Sequence, residues 1–313
     1  MYKNNKICIV IPYYNAPDHI GRVVAKLPSF VDSVIIVDDK SPVPVPEPEV
    51  MRDRLVILHH QKNLGVGGAT MTGFKYALKT DCDIVVKMDA DDQMDASYLP
   101  ELLDALIEGS FGYAKGNRFY DLDALRDMPF FRRTGNLILS FLVKAATGYW
   151  NNFDPTNGYF AIKKKVLSKL NFNRLSSRYF FETSLLAELY YHHIPVADIP
   201  MPAIYKDEKS HMKVWTMPFV FLPRLIKLFF KRILFGYFLF DFNIGSVYLL
   251  FGLPLFLFGI IYGAYKWWYY ASHHTPAPTG TIMIAVLSLI LGFQLLLQAV
   301  QFDIHNAPKS KSV

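Results

Sequence analysis

Two long uncharged runs near the end of the chain constrain its fold more than any other feature. From Phe242 to Tyr265 there are 24 consecutive positions without a charged residue, and from Thr281 to Val300 there are 20 more. A hydrocarbon core about 30 Å thick is crossed by roughly 20 helical residues at about 1.5 Å each, so each run is long enough to span it. Between them, Lys266-Trp267-Trp268-Tyr269-Tyr270 has the character of an interfacial aromatic belt. The connection from Ala271 to Gly280 is short and Pro-containing. Two buried helices of a soluble domain are the alternative, but such helices seldom run so far without charge. The expectation is a transmembrane hairpin with both ends on one side.

Charge gives the side. Lys209, Lys213, Arg224, Lys227, Lys231 and Arg232 follow one another with no acid among them, Lys309 and Lys311 lie in the tail, and the opposite loop has only Lys266. The positive-inside rule places residues 1–240 and the tail in the cytoplasm. The net charge of +6 is thus read as a membrane-surface property rather than a sign of nucleic-acid binding. Hydrophobic residues make up 52% of the 313, which excludes a disordered chain. The two cysteines, Cys8 and Cys82, lie in apolar runs, which implies no disulfide framework and a reducing compartment. No signal peptide and no four-ligand zinc pattern is expected. Residues 214–240 read as a basic amphipathic segment in the headgroup layer. Residues 130–149 are too short and broken to span. They are either a second interfacial segment or a buried core helix.

The first 110 residues alternate strand and helix signals. Strands are predicted at Lys6–Ile11, Ser33–Val37, Leu55–Leu58 and Asp83–Met88. Helices are predicted at Pro17–Leu27, Gly65–Leu78 and Leu99–Ile107. This is the punctuation of an α/β domain with a parallel sheet, whose ligands bind beyond the carboxyl ends of the strands. Polar residues gather at those ends: Tyr14 and Asn15, Asp38 and Asp39, Asn63, and Asp89, Asp91 and Asp92.

Asp89-Ala90-Asp91 follows an apolar strand. In an extended segment positions i and i+2 face the same way, so both carboxylates would meet one ligand. Paired carboxylates suit a hard divalent cation, Mg2+ or Mn2+, which can hold a pyrophosphate. A solvated acidic turn is the alternative. Asp38-Asp39 has a similar placement and could accept from a base N–H or ribose hydroxyls. The glycines at 65, 67 and 68 lack a Walker signature and read as allowing tight helix–sheet approach. His192-His193 and His273-His274 have no metal partners at usable spacing.

Taken together, Ile11-Pro-Tyr-Tyr-Asn15, Val37-Asp-Asp39, Asn63-Leu-Gly65 and Met88-Asp-Ala-Asp-Asp-Gln93 resemble the motifs of family-2 glycosyltransferases with the GT-A fold. Gly116-Asn-Arg118, Asp154-Pro-Thr-Asn157-Gly-Tyr-Phe160 and Arg178-Tyr-Phe-Phe-Glu182 are similar to the polyprenyl-phosphate branch, which includes dolichol-phosphate mannose synthases and bactoprenol glucosyltransferases. The resemblance covers about residues 5–210, plus the hairpin in architecture. It implies a GT-A domain over 1–213, an amphipathic juxtamembrane segment over 214–240, two transmembrane helices within 241–302 and a cytoplasmic tail from 303 to 313.

The resemblance also implies roles. Pro12, Tyr14 and Asp39 would hold the nucleobase and ribose, with Asp38 in support and Asn63 in the same donor site. Asp89 and Asp91 would be the metal pair, with Gln93 nearby. Arg118 and the pair Arg132-Arg133 would meet phosphates, although the pair could equally bind lipid headgroups. Asp154 and Asn157 would sit by sugar and acceptor. Arg178 and Glu182 would close the site, unless they form an ordinary i,i+4 helix ion pair. Ala16 stands where many relatives have Glu.

The implied reaction is inverting, metal-dependent transfer from a nucleotide sugar, with uracil the expected base, to undecaprenyl phosphate. Its setting is a bacterial inner membrane, with the catalytic domain and both termini cytoplasmic. A lipid phosphate is already an anion and needs no general base. Asp154 would become a base only for a hydroxyl of a lipid-linked oligosaccharide, the second reading. A nucleotide-sugar-binding scaffold without turnover is a reading from another class, against which the intact carboxylate set argues. Two spans cannot enclose a pore and no Gln-x-x-Arg-Trp motif is found, which argues against a processive synthase with its own channel. The hairpin offers a route to homo-oligomers.

Overall fold

The structure, a computed structural model, describes residues 1–46, 50–120, 130–202 and 217–309. It divides into two compact units, one built on Met1–Leu228 and the other on Phe229–Ala307.

The first unit is organised by a seven-stranded sheet in the order β3-β2-β1-β4-β6-β5-β7. The strands are β1 (Ile7–Tyr13), β2 (Ser33–Asp38), β3 (Leu55–His59), β4 (Ile84–Lys87), β5 (Tyr113–Asn117), β6 (Phe160–Lys163) and β7 (Val196–Pro200). β3, β2, β1 and β4 run parallel. β6 is antiparallel to both β4 and β5, and β7 is parallel to β5, so the sheet is mixed rather than wholly parallel. The reversal has a functional consequence. Because β6 runs backwards, the segment that leads into it reaches the same edge where β1, β2, β4 and β5 end.

The helices are α1 (Pro17–Ala25), α2 (Val66–Ala77), α3 (Leu99–Ile107), α4 (Phe130–Thr147), the single turn α5 (Lys164–Leu167) and α6 (Phe181–Tyr191). Alternate residues of β1 and β2 serve opposite faces, as the two-residue period requires. Ile7, Ile9, Ile11, Val34 and Ile36 pack with Ile20 and Val24 of α1 and Leu99, Leu102 and Leu103 of α3. Cys8, Val10, Ile35 and Val37 pack with Phe74 of α2 and Phe181, Leu185 and Leu189 of α6. Buried on both faces, these strands read as continuous apolar runs. Both cysteines are buried and free.

α4 combines the two natures expected as alternatives for this segment. Val143, Ala146 and Thr147 are buried, whereas Leu137, Ile138 and Phe141 are exposed. The next helix, α7 (Met217–Leu234), is amphipathic in the same way. Its Phe221 and Leu225 are buried, with Phe221 edge-on to Phe180 at 5.1 Å, while Val220, Leu222 and Ile226 are exposed. The basic residues Lys209 and Lys213 lie outside the described residues.

The second unit holds the uncharged runs. α8 (Ile244–Ser272) and α9 (Thr279–His305) are each long and apolar enough to cross a membrane. A capping box starts α8: Asn243 Oδ1 accepts from the Ser246 amide and Ser246 Oγ accepts from the Asn243 amide. Small residues Gly252, Gly259 and Gly292 lie at the helix–helix contact. Large apolar side chains, among them Phe251, Leu257, Ile261, Ile284, Ile290 and Phe293, are exposed along both helices, as a lipid solvent requires and a soluble core helix does not. Trp267 and Trp268 are exposed, and Lys266 lies 5.6 Å from the Tyr265 and Tyr269 rings.

One charged cluster is buried in this unit. Arg232 donates to both oxygens of Asp303, at 2.6 and 2.9 Å, and the Tyr237 hydroxyl donates to Asp303 Oδ1 at 2.6 Å. Removing one partner of a buried pair leaves an unmatched charge, which typically destabilises by about 3–5 kcal/mol. Arg232→Met is therefore expected to lower the unfolding midpoint in detergent sharply, and Arg232→Met combined with Asp303→Leu to recover most of the loss. Denaturant titration of the full chain measures both.

Candidate active site

The carboxyl edge of the sheet gathers charged residues from segments far apart in the sequence. Asp39, just past β2, is 3% exposed. Its Oδ1 accepts from the Leu64 amide at 2.7 Å and lies 2.7 Å from His60 Nδ1, and its Oδ2 accepts from the Gly65 amide at 2.7 Å. The His60 ring continues to Thr72 Oγ1 at 2.9 Å. Asp39 thus fastens the loop that opens α2, and Asn63 donates to its backbone carbonyl from the surface. Asp38 caps the next turn, accepting from the Ser41 amide at 2.8 Å, and Ser41 Oγ accepts from the Asn15 amide at 2.9 Å. The ends of β1 and β2 are so tied together. Pro12 is the penultimate residue of β1, and the Tyr14 ring projects from that end, exposed.

β4 ends differently from its sequence expectation. The strand stops at Lys87, and Ala90 and Asp91 lie in a turn that Asp92 leaves with φ 58°. The i, i+2 alternation of an extended strand therefore does not align Asp89 with Asp91. Asp89 Oδ1 is instead paired with Lys87 Nζ at 2.6 Å, and Asp91 Oδ1 accepts from the Gln93 amide at 3.1 Å. Both carboxylates remain partly exposed. Asp92 turns away to Lys26, at 2.6 Å.

Arg118 follows β5, and Asp154 precedes β6 by way of the turn to Asn157. Asp154 has no exposed surface and a left-handed backbone, φ 48°. Arg118 grips it with Nε on Oδ2 at 2.7 Å and a second nitrogen on Oδ1 at 2.8 Å, and Asn157 Nδ2 donates to Oδ2 at 3.1 Å. Burial pushes the Asp154 carboxyl up, but the hydrogen bonds and charge of Arg118, with Lys115 behind, outweigh it and hold the carboxyl below its ordinary value. Lys115, buried in β5, pairs with Asp198 at 2.9 Å and donates to the backbone carbonyls of Phe153 and Asp154. Asp198 in turn accepts from Asn152 Nδ2 and the Phe153 amide. The loop before β6 is therefore clamped from below.

Glu182 opens α6 and turns inward, 3.5 Å from Lys87. Burial raises its carboxyl above the ordinary value, and Lys87 only partly counters this. Burial would lower the Lys87 ammonium, but Asp89 and Glu182 together raise it instead. Arg178 lies three residues ahead of α6 and is exposed. Arg178 and Glu182 are therefore not an i,i+4 helix pair. The glycine loop also differs from expectation. A Cβ on Gly67 would run into Ser176 O and Phe181 Cβ, so the close approach is to the first residue of α6 and the segment before it, not to the sheet. That follows from α2 beginning beyond the strand ends. The side chains of Arg132 and Arg133, in the first turn of α4, lie outside the described residues.

Sequence reasoning missed His60, Lys87, Lys115 and Asp198. The two lysines were legible as charges interrupting apolar strands, a pattern that needs a buried partner. A cavity of about 700 Å³ opens at the opposite edge of the sheet, between Leu78, Cys82, Lys163 and Lys164, away from all these groups.

The mixed sheet, with helices on both faces and carboxylates at the ends of its parallel strands, agrees with the GT-A fold of glycosyltransferases. The profile of Glycosyl transferase family 2 matches residues 8–170, and the chain belongs to that family. Among curated relatives, the UDP-N-acetylglucosamine–dolichyl-phosphate N-acetylglucosaminyltransferase of Methanococcus voltae is 29% identical over 220 residues, 64% of this chain and 86% of the relative. The polyprenol monophosphomannose synthase of Mycolicibacterium smegmatis is 27% identical over 62% of this chain and 75% of its own length. The first of these relatives is named for dolichyl phosphate and the second for polyprenol monophosphomannose. Among solved structures, glucosyl-3-phosphoglycerate synthase of Mycobacterium tuberculosis, in complex with Mn2+, UDP-glucose and phosphoglyceric acid, superposes with a TM-score of 0.53. It is 18% identical, over 73% of this chain and 80% of that one, a likeness of fold.

A carboxylate held below its ordinary pKa contributes stability that is complete above that value, 3.8, and lost as pH falls through its lower folded-state value. Asp154→Asn is expected to lower the melting temperature at pH 7 and to flatten the decline below about pH 4. Melting curves of both proteins from pH 7 to pH 2 check this.

Proposed function

We propose that the chain transfers a sugar from a nucleoside diphosphate sugar to a polyprenyl phosphate at a membrane surface, with inversion. The observation that carries this is the state of Asp154. Its two oxygens accept hydrogen bonds from Arg118 and Asn157, and these with the guanidinium charge lower its affinity for a proton, which makes it a poor general base. An acceptor hydroxyl would need one. A phosphate acceptor does not, and Arg118, partly exposed beside Asp154, is suited to meet it. The relatives named above, by their names, act on dolichyl phosphate and polyprenol phosphate, and the exposed apolar side of α4 gives a prenyl chain a face to lie on.

The donor would lie across the ends of β1, β2 and β4, with Tyr14, Asp38 and Asn63 toward base and ribose. Asp39 contributes by fixing the Asn63–Gly65 loop. Among the described residues no group of three His, Cys, Asp or Glu could hold a metal alone. The partly exposed Asp89 and Asp91 do offer hard oxygen donors, and Lys87 engages only Oδ1 of Asp89. That set fits Mg2+ or Mn2+ shared with a diphosphate. When bound, the cation supplies charge stabilisation to the departing diphosphate. The acceptor phosphate oxygen attacks the anomeric carbon, the bond to the diphosphate breaks, and the nucleoside diphosphate leaves with the electron pair. No proton moves. Arg178 and the Arg132-Arg133 pair are the further cations proposed to face phosphates. The hairpin and the amphipathic helices would keep the site at the cytoplasmic face of a bacterial inner membrane.

Incubation of the full chain with radiolabelled nucleotide sugars and undecaprenyl phosphate in detergent tests the proposal. The expected product is an acid-labile lipid monophosphosugar, formed with one nucleoside diphosphate released per transfer. Sugar joined to a saccharide hydroxyl, with polyprenyl phosphate inert, would establish the lipid-linked oligosaccharide reading instead. Asp91→Asn is expected to abolish transfer in a folded, membrane-bound protein. Arg118→Ala combined with Asp154→Asn, which strands no buried carboxylate, is expected to raise the KM for polyprenyl phosphate roughly tenfold to a hundredfold, since a hydrogen bond to a charged group contributes about 1.5–3 kcal/mol.

A further inference from the structure

The end of β4 contains a lysine that the reaction as proposed does not use. Lys87 is 1% exposed, the last residue of a strand whose other members are Ile84, Val85 and Val86. Its ammonium lies 2.6 Å from Asp89 Oδ1 and 3.5 Å from Glu182 Oε1. Gly158 closes the arrangement from the segment before β6. A Cβ built there would collide with Lys87 Nζ and come within 2.8 Å of Asp89 Oδ2 and 3.4 Å of Met94 Cε. Three separate elements, β4, α6 and the β6 approach, meet at this one ammonium group.

Stability alone does not explain it. A buried ion pair replaced by apolar residues of similar volume is often as stable or more so, and β4 is otherwise apolar. What the lysine does accomplish is geometric. It engages one oxygen of Asp89 and not the other, Oδ2, which packs closely beside Gly158 on a carboxylate that stays partly exposed. Glu182 holds the lysine from the far side.

We propose that Lys87 is a positioning residue for the cation site: by occupying Asp89 Oδ1 it fixes Asp89 to offer a single oxygen, Oδ2, to a divalent cation, with Glu182 and Gly158 as its supports. This rests on the reading of Asp89 and Asp91 as the cation-binding pair. Partners that orient a metal ligand typically change metal affinity 10- to 100-fold when removed.

The test is Mn2+ titration of the full-length protein in detergent with UDP present, read by the electron paramagnetic resonance of free Mn2+. Lys87→Met combined with Glu182→Gln removes the lysine without stranding a buried carboxylate, and its melting temperature reports the fold. The expected result is a melting temperature within a few degrees of wild type and Mn2+ affinity reduced at least tenfold. Gly158→Ala leaves both charges in place while crowding Asp89 Oδ2. It is expected to weaken Mn2+ as well, which keeps the proposal testable if the double variant does not fold. Wild-type Mn2+ affinity in a folded double variant, or in folded Gly158→Ala, would overturn the positioning role and leave the proposed transfer intact. A wild-type protein that takes up no Mn2+ would overturn the cation site itself, and the positioning role with it.

Discussion

Asp39, Asp154 and Glu182 are buried at one edge of the sheet, where an unmatched charge would be too costly for the fold to tolerate. Each is matched by groups from distant segments. Asp39 takes two amides and an imidazole from residues 60–65. Asp154 takes a bidentate arginine from the end of β5. Glu182 takes the lysine that ends β4. These pairings define which loops can lie at that edge and how they are oriented. At the same edge Tyr14, Asn63 and Arg178 are exposed and Asp91 is partly exposed.

The same logic separates the two kinds of carboxylate that a sequence cannot tell apart. Asp38, Asp39, Asp89, Asp91, Asp92 and Asp154 all read as strand-end acids. In the structure Asp39 and Asp92 are committed to the protein's own loops and to α1, and Asp154 to Arg118. Asp89 is half committed, with one oxygen on Lys87, and Asp91 remains partly exposed. Carboxylates with solvent access are the ones able to exchange water for a ligand, and those fully hydrogen-bonded within the protein are not.

Much of the fold was legible because its determinants are local. α3 spans Leu99–Ile107 as its apolar spacing predicts, and the strands before residue 90 fall within one or two residues of their apolar runs. The two long apolar helices follow from length and charge alone, and the structure adds Asn243 as the capping residue that starts the first. What was not legible was non-local. Nothing near Lys115 announces Asp198, and nothing near Lys87 announces Glu182, 95 positions later. The antiparallel insertion of β6 is likewise a tertiary choice, and it is what brings Asp154 and Gly158 to the edge that holds Asp89. The placement of Asp91 in a turn could not be read either, because an Asp-Ala-Asp segment has no strong preference between extended and turned backbone.

On the proposed function, a nucleoside diphosphate binds across the carboxyl ends of β1, β2 and β4, over the partly exposed carboxylates. Hydrogen–deuterium exchange of the full-length protein in detergent, with and without UDP and Mn2+, measures this most directly. Slowed exchange is expected in peptides covering residues 11–15, 37–41 and 88–94, with residues 78–84 and 163–168 at the opposite edge unchanged. Protection confined to that opposite edge, or none anywhere at saturating nucleotide, would contradict the account.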